Sequence, residues 1–173
     1  MSLPPKPALT ALKPLLSDQT RVLILGSFPG LASLRAQQYY AHPRNQFWKI
    51  LHSIWPDAEM QPDNASYVAK SQWLLSKKLG LWDVYAACER EGSLDSRIRR
   101  PELNDFGALG QWCPHLMAVA HNGGESFKQA ARIEVLGVRV YRLPSTSPAH
   151  ASWTFEQKLL AWRAVFEEQG LIV

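Results

Sequence analysis

Two neighbouring runs concentrate the groups that can do chemistry in this chain: Gly26-Ser27-Phe28-Pro29-Gly30 and, soon after, QYYAHPRNQFW from Gln38 to Trp48. Together they place hydroxyl, amide, aromatic and guanidinium groups in one loop, more than a plain connector needs. The apolar run Arg21-Val22-Leu23-Ile24-Leu25 leads into it and suits a strand buried on both faces of a parallel sheet. Ligands of open α/β sheets sit beyond the carboxyl ends of such strands. Gly26 and Gly30 permit close backbone approach, and Pro29 stiffens the segment between them. The segment lacks the third glycine of a dinucleotide fingerprint and the Gly-Lys-Ser/Thr of a P-loop, so no cofactor is expected.

Further along, three runs carry groups of the same kind. Asn122, in MAVAHNGG, ends a second expected strand, Leu116 to Ala120, and reads either as a ligand contact or as the start of an Asn-Gly turn. His121 beside it reads as structural. Asp83, in GLWDVYAACER, ends a third apolar run and reads either as a cap or as an acceptor for a ligand N–H. Leu143-Pro144-Ser145-Thr146-Ser147-Pro148-Ala149 follows the β-rich run Val138 to Arg142. Its two prolines bracket three hydroxyl residues in a stiff loop whose N–H and O–H groups suit phosphates. It reads equally as a strand-to-helix connector, with Ser152 or Thr154 as N-cap. Tyr39 and Tyr40 are candidates for a pocket wall, whereas Phe47, Trp48, Leu51 and Ile54 have the spacing of a buried helix face. Arg44 reads as a phosphate contact or a solvated side chain, as does the cluster Arg97, Arg99 and Arg100 with Arg90 upstream.

The elements that position these groups alternate. Helices are expected at 47–55, stopped by Pro56, and at 64–78, 101–112, 125–131 and 155–169; strands at 81–85, 116–120 and 138–143 follow the first. The helix at 101–112 rests on Pro101 as a first-turn proline. Alternation of this kind predicts a mostly parallel sheet with helices on both faces. At 173 residues the chain fits one domain, residues 1–173. Lys+Arg 19 against Asp+Glu 15 gives a net charge of +4 and a pI near 9.2, compatible with a polyanionic partner. Cys88 and Cys113, with His42, His52, His115, His121 and His150, have no metal-ligand spacing, so no metal is expected. The proline-rich start, with Pro4, Pro5, Pro7 and Pro14, lacks an apolar core, and no run reaches the roughly 20 apolar residues that span a bilayer. No membrane partner and a cytoplasmic location are therefore expected. No Gly-x-Ser-x-Gly elbow or nucleophile-base pairing is readable, which disfavours a small-molecule hydrolase.

GSFPG, the Gln38–Trp48 run and LPSTSPAHA, in that order, resemble the motifs of the uracil-DNA glycosylase superfamily. The likeness runs from Arg21 to Trp162, is most specific at HPRNQFW, and is nearest to the mismatch-specific branch and the hypoxanthine (deoxyinosine) DNA glycosylases. It implies an α/β three-layer sandwich with a central four-stranded sheet. It also implies a monomeric, monofunctional enzyme that flips a deaminated base, with hypoxanthine the expected one, out of DNA and hydrolyses its N-glycosidic bond to leave an abasic site. A uracil or mismatch glycosylase, and an inert nucleic-acid binder on the same fold, are the alternatives. Mismatch-specific relatives carry an asparagine in the first motif where this chain has Phe28; the hypoxanthine branch lacks it, and its water-positioning role is implied to pass to Asn45. The resemblance further implies that Gly26, Ser27, Phe28 and Tyr40 shape the base pocket, with Phe28 as a stacking face. Asn122 would meet the purine edge, and Asp83 would stand where uracil enzymes read the base with asparagine. Arg44, Ser145, Thr146, Ser147 and Pro148 would touch DNA, over which the polar 89–100 loop would swing. No lysine lies in these motifs to form a Schiff base, so strand cleavage is not expected.

Overall fold

Residues Val22 to Gly26 are buried without exception, as a strand covered on both faces requires. In the computed structural model, which describes residues 8–172, the strands are β1 (Leu9–Thr10), β2 (Val22–Gly26), β3 (Leu79–Asp83), β4 (Tyr85–Glu89), β5 (Arg99–Leu103), β6 (Ala118–Asn122) and β7 (Arg139–Leu143). The helices are α1 (Leu31–Ala36), α2 (Phe47–Ile54), α3 (Tyr67–Ser76), α4 (Leu109–Trp112), α5 (Gly124–Phe127), α6 (Ala130–Glu134) and α7 (Phe155–Glu168). The central sheet has four parallel strands in the order β3-β2-β6-β7. Alternation along β2 sends its side chains to opposite layers. Val22 and Ile24 join Phe47 and Leu51 of α2, Leu74 of α3, and Trp162 and Phe166 of α7. Leu23 and Leu25 join Phe28, Trp82, Ile98, Phe106, Leu109 and Ile133 on the other face. The expected α/β three-layer arrangement with a four-stranded parallel sheet is thus what forms.

The largest departure lies between residues 85 and 103. The chain leaves the central sheet after Asp83 and builds a second, antiparallel sheet in the order β1-β4-β5. Residues 99–103 are strand, and the helix expected over 101–112 shrinks to the single turn of α4. Pro101 fits there because β5 is an edge strand, where a missing N–H breaks no ladder. The 89–100 segment is the tip of this hairpin. Smaller shifts concern β3, which begins two residues early; the helix expected at 64–78, which trims to α3; the helix expected at 125–131, which breaks into α5 and α6; and α1, which follows the GSFPG loop unannounced. At the start of α7, Thr154 is the N-cap and completes a capping box with Gln157.

Candidate active site

The carboxyl ends of β2, β3 and β6 stand side by side, with Gly26 in register with Asp83. Above them opens a cavity of about 500 Å³. Its lining includes Gly26, Ser27, Phe28, Tyr40, Asn45, Asp83, Asn122, Ser145, Thr146, Ser147 and Pro148, drawn from well-separated stretches of sequence. Arg44 is exposed and outside this lining. Gly26 has to be glycine here: a Cβ would come within 2.5 Å of Asp83 Oδ1 and 3.3 Å of Tyr40 Oη.

Asn45 lies on the wall, just before α2. Its Oδ1 accepts from Phe47 N at 3.0 Å and its N–H donates to His42 O at 2.9 Å. The carboxamide is therefore anchored through its oxygen, whose second lone pair is left for a further hydrogen bond. Tyr40 follows in the same wall. It holds a left-handed φ of 55° and stacks on Phe47 at 4.1 Å, and its buried hydroxyl has no partner at ordinary hydrogen-bond geometry, although the Asn122 amide is near enough to counter part of the rise that burial imposes on its ionisation.

Asp83 is 4 % exposed, and its Oδ2 is buried without a partner. Nothing about it resembles a cap: its backbone carbonyl, not its carboxyl, takes the Asn104 amide at 2.8 Å. Burial, and then the nearby Asp95 charge, push its carboxyl up to about 7 against the opposing pull of Arg90. Asp95 sits on the hairpin tip and accepts from Ser27 Oγ at 2.6 Å. Burial raises its carboxyl too, while the Ser27 bond works the other way.

The hairpin tip is fastened to the GSFPG loop and does not swing free. Arg90 Nη2 donates to Pro29 O at 2.6 Å, Nε donates to Gly92 O at 2.8 Å, and the guanidinium lies 5.1 Å from the centre of the Phe28 ring. Leu31 N donates to Ser93 Oγ at 2.9 Å. Arg90, only 8 % exposed, is thus a structural bolt and not a member of the exposed cluster Arg97, Arg99 and Arg100. Phe28 is 6 % exposed and has Arg90 over one face, so only its other side can meet a ligand.

Asn122 faces the cavity and also clamps its opposite wall. Its Nδ2 donates to Thr146 Oγ1 and its Oδ1 accepts from Thr146 N, both at 3.0 Å. Gly123 turns the chain after it with φ 96°, so the turn and the contact readings hold together. Thr146 departs from the expected phosphate contact: it is 1 % exposed, and its carbonyl accepts from Gln46 N at 3.0 Å. The N–H groups of Ser147, Ala149 and His150 are also engaged within the loop. With the amides of Thr146, Ser147, Ala149 and His150 taken, the groups the loop offers a phosphate include the hydroxyl hydrogens of Ser145 and Ser147. α7 holds the loop from behind, with Trp162 Nε1 donating to Pro144 O at 3.0 Å and Lys158 Nζ to His150 O at 2.7 Å.

His121 is fully buried and outside the lining. Ser126 Oγ donates to Leu25 O at 2.8 Å, so the 2.7 Å contact with His121 Nδ1 requires the imidazole to donate. Burial lowers His121 to about 4, which keeps it neutral. Asp95, Ser93, His42 and His150 also line the cavity, and no sequence motif marks them for it. Ser27 and Asp95 are 68 residues apart, and their contact exists only because the second sheet folds back.

Residues 14–167 match the family model described as the uracil DNA glycosylase superfamily. The chain is 36 % identical over 152 residues to a Methanosarcina acetivorans protein named hypoxanthine DNA glycosylase, covering 87 % of this chain and 93 % of that one. It is likewise 36 % identical over 154 residues to a Methanosarcina barkeri protein of the same name, covering 89 % and 95 %. A solution NMR structure of a candidate uracil DNA glycosylase from Methanosarcina acetivorans superposes with a TM-score of 0.82 at 32 % identity, over 94 % of this chain and 99 % of that one.

Proposed function

The chain belongs to the uracil DNA glycosylase superfamily, and from that premise we propose that it is a monofunctional DNA glycosylase that extrudes deoxyinosine and hydrolyses its N-glycosidic bond. The observation that carries this reading is the convergence of Asn45, Asp83 and Asn122, from three distant stretches, on one cavity of about 500 Å³. That volume falls within the roughly 300–1,000 Å³ of small-ligand pockets. The two Methanosarcina relatives named for hypoxanthine support that base as the substrate. A base inside a duplex cannot reach such a cavity unless its nucleotide is turned out of the stack. The exposed Arg97, Arg99 and Arg100, Arg44, and the hydroxyls of Ser145 and Ser147 are the groups that hold the DNA backbone in this reading, beside Pro148.

As the C1′–N9 bond lengthens, positive charge builds on the sugar and negative charge on the departing purine. Water attacking C1′ needs orientation more than deprotonation, and the fixed Oδ1 of Asn45 supplies it through its second lone pair. The purine leaves beside two groups able to donate to its charge, the Asn122 amide and the neighbouring Tyr40 hydroxyl. Gly26, Ser27 and Phe28 form the floor. None of the described residues that line the cavity is a lysine, which supports simple hydrolysis to an abasic site without strand cleavage. The protein acts in this reading as a single-domain monomer in the cytoplasm. Asn45→Ala should reduce hypoxanthine release from an inosine-containing duplex by at least about a hundredfold with an unchanged circular dichroism spectrum. Activity near the wild-type level would remove Asn45 from the mechanism.

A further inference from the structure

Asp83 is an awkward group for a base pocket if it is charged. A carboxylate only accepts hydrogen bonds, so it would face a base carbonyl with like partial charge. Its surroundings argue against that state. The residue is 4 % exposed, Oδ2 is buried without a partner, and Oδ1 lies where a Cβ on Gly26 would collide with it. Among the described residues the cation acting on it is Arg90, whose Nη2 and Nε bond Pro29 O and Gly92 O instead. The second acid, Asp95, has a partner in Ser27 Oγ.

We infer that Asp83 works as a neutral carboxylic acid that pairs with the lactam edge of the extruded base, donating to the ring carbonyl oxygen and accepting from the adjacent ring N–H. The inference rests on the glycosylase reading above and adds the state of the group and the class of base. A carboxylic acid presents a donor and an acceptor side by side, as a carboxamide does. Hypoxanthine shows O6 next to N1–H, and uracil shows O4 next to N3–H, so both belong to the class. The same proton serves the chemistry, because the base leaves with negative charge delocalised onto that carbonyl oxygen. Asp83 is part of the cavity lining, and the bare Cα of Gly26 leaves room for the carboxyl itself and for the Tyr40 hydroxyl beside it, room that any side chain at position 26 would take. Burial holds the acid neutral up to about pH 7 and explains how it stays a donor in a working enzyme.

The other titratable groups around it are Asp95 and Arg90 from the hairpin, Tyr39 and Tyr40 from the segment after α1, and His42 and His150 in the cavity lining. All of them persist in Asp83→Asn, which replaces the acid by its permanently neutral counterpart. Single-turnover base release from inosine- and uracil-containing duplexes, at pH 5.5 to 9 in wild type, Asp83→Asn and Asp83→Ala, tests the inference. The wild-type rate should fall about tenfold per pH unit above the carboxyl's titration. Asp83→Asn should keep at least about a tenth of the rate at pH 6 and lack that fall, and Asp83→Ala should lose about 10²–10³ at every pH. A wild-type profile with no fall between pH 6 and 9 overturns the inference without any variant. So does an Asp83→Asn profile that falls in parallel with wild type, or a loss in Asp83→Asn as deep as in Asp83→Ala while thermal melts show both folded. Wild-type protein that releases no base from either duplex at any pH sinks the glycosylase reading itself, a different outcome from either of these.

Discussion

A carboxyl held neutral by burial must leave its mark on folding stability, with or without substrate. In the unfolded chain Asp83 titrates at its ordinary 3.8, and in the folded protein at about 7. Between these values the folded state holds one proton more than the unfolded state, so stability falls as pH rises. The contribution is fully present below about pH 4 and lost once pH passes about 7. At about 1.4 kcal/mol per pH unit, the interval is worth about 4 kcal/mol, and water entering the open cavity makes that a ceiling. It is a large share of the roughly 5–15 kcal/mol that holds a domain together. Asp83→Asn keeps the shape and removes the titration. Urea denaturation of both proteins at pH 4.5, 6, 7.5 and 9 reads the difference directly, because other titrating groups such as His121 cancel in the subtraction. The variant should gain on the wild type steadily up to about pH 7 and then hold its lead. Parallel stability curves, within the 10–15 % or so by which extrapolated free energies are known, would mean that Asp83 is ionised in the folded protein and that the desolvation argument is wrong.

Other parts of the site make separate demands. Gly26→Ala drives a methyl group to within 2.5 Å of Asp83 Oδ1, and overpacking of this kind costs about 1–3 kcal/mol; a lowered melting temperature together with at least a tenfold slower base release is expected. Asn122→Ala strips Thr146 of two buried hydrogen bonds; a loss of about 2–4 kcal/mol in urea denaturation should result, with weaker binding to undamaged duplex as the loop loosens. Replacing Arg97, Arg99 and Arg100 together by serine should leave hydrolysis of a saturating duplex intact and lower the slope of log K against log salt by about 3, as expected for three phosphate contacts; an unchanged slope would take the cluster off the DNA.

The parts of the fold legible from sequence were those with local causes. Val22 to Gly26 declared itself by an unbroken apolar run, α2 by the spacing of Phe47, Leu51 and Ile54 before Pro56, and the start of α7 by Thr154, one of two N-cap candidates. The second sheet did not declare itself. β1 has only two residues, β5 is largely exposed, and Pro101 fits a helix start as readily as an edge strand. Missing that sheet meant missing the wall it builds, with Ser93 and Asp95, and it cast Arg90 as a surface cation. The polar residues of the cavity were recognisable by type at Asn45, Asp83 and Asn122. Their bonds were not, since the Asn122–Thr146 pairing and the empty surroundings of Asp83 Oδ2 depend on segments that meet only in the folded chain.

The loop from Pro144 to His150 is moored to β6 through Asn122, to the entrance of α2 through Gln46, and to α7 through Trp162 and Lys158. A surface tied down on three sides does not mould itself to what it meets. The double helix then has to supply the compliance, bending and unstacking around an unyielding anvil. The mechanics of the neighbouring base-pair steps, softer at pyrimidine–purine junctions, thereby enter the cost of turning a nucleotide out, and identical lesions become unequal by their surroundings.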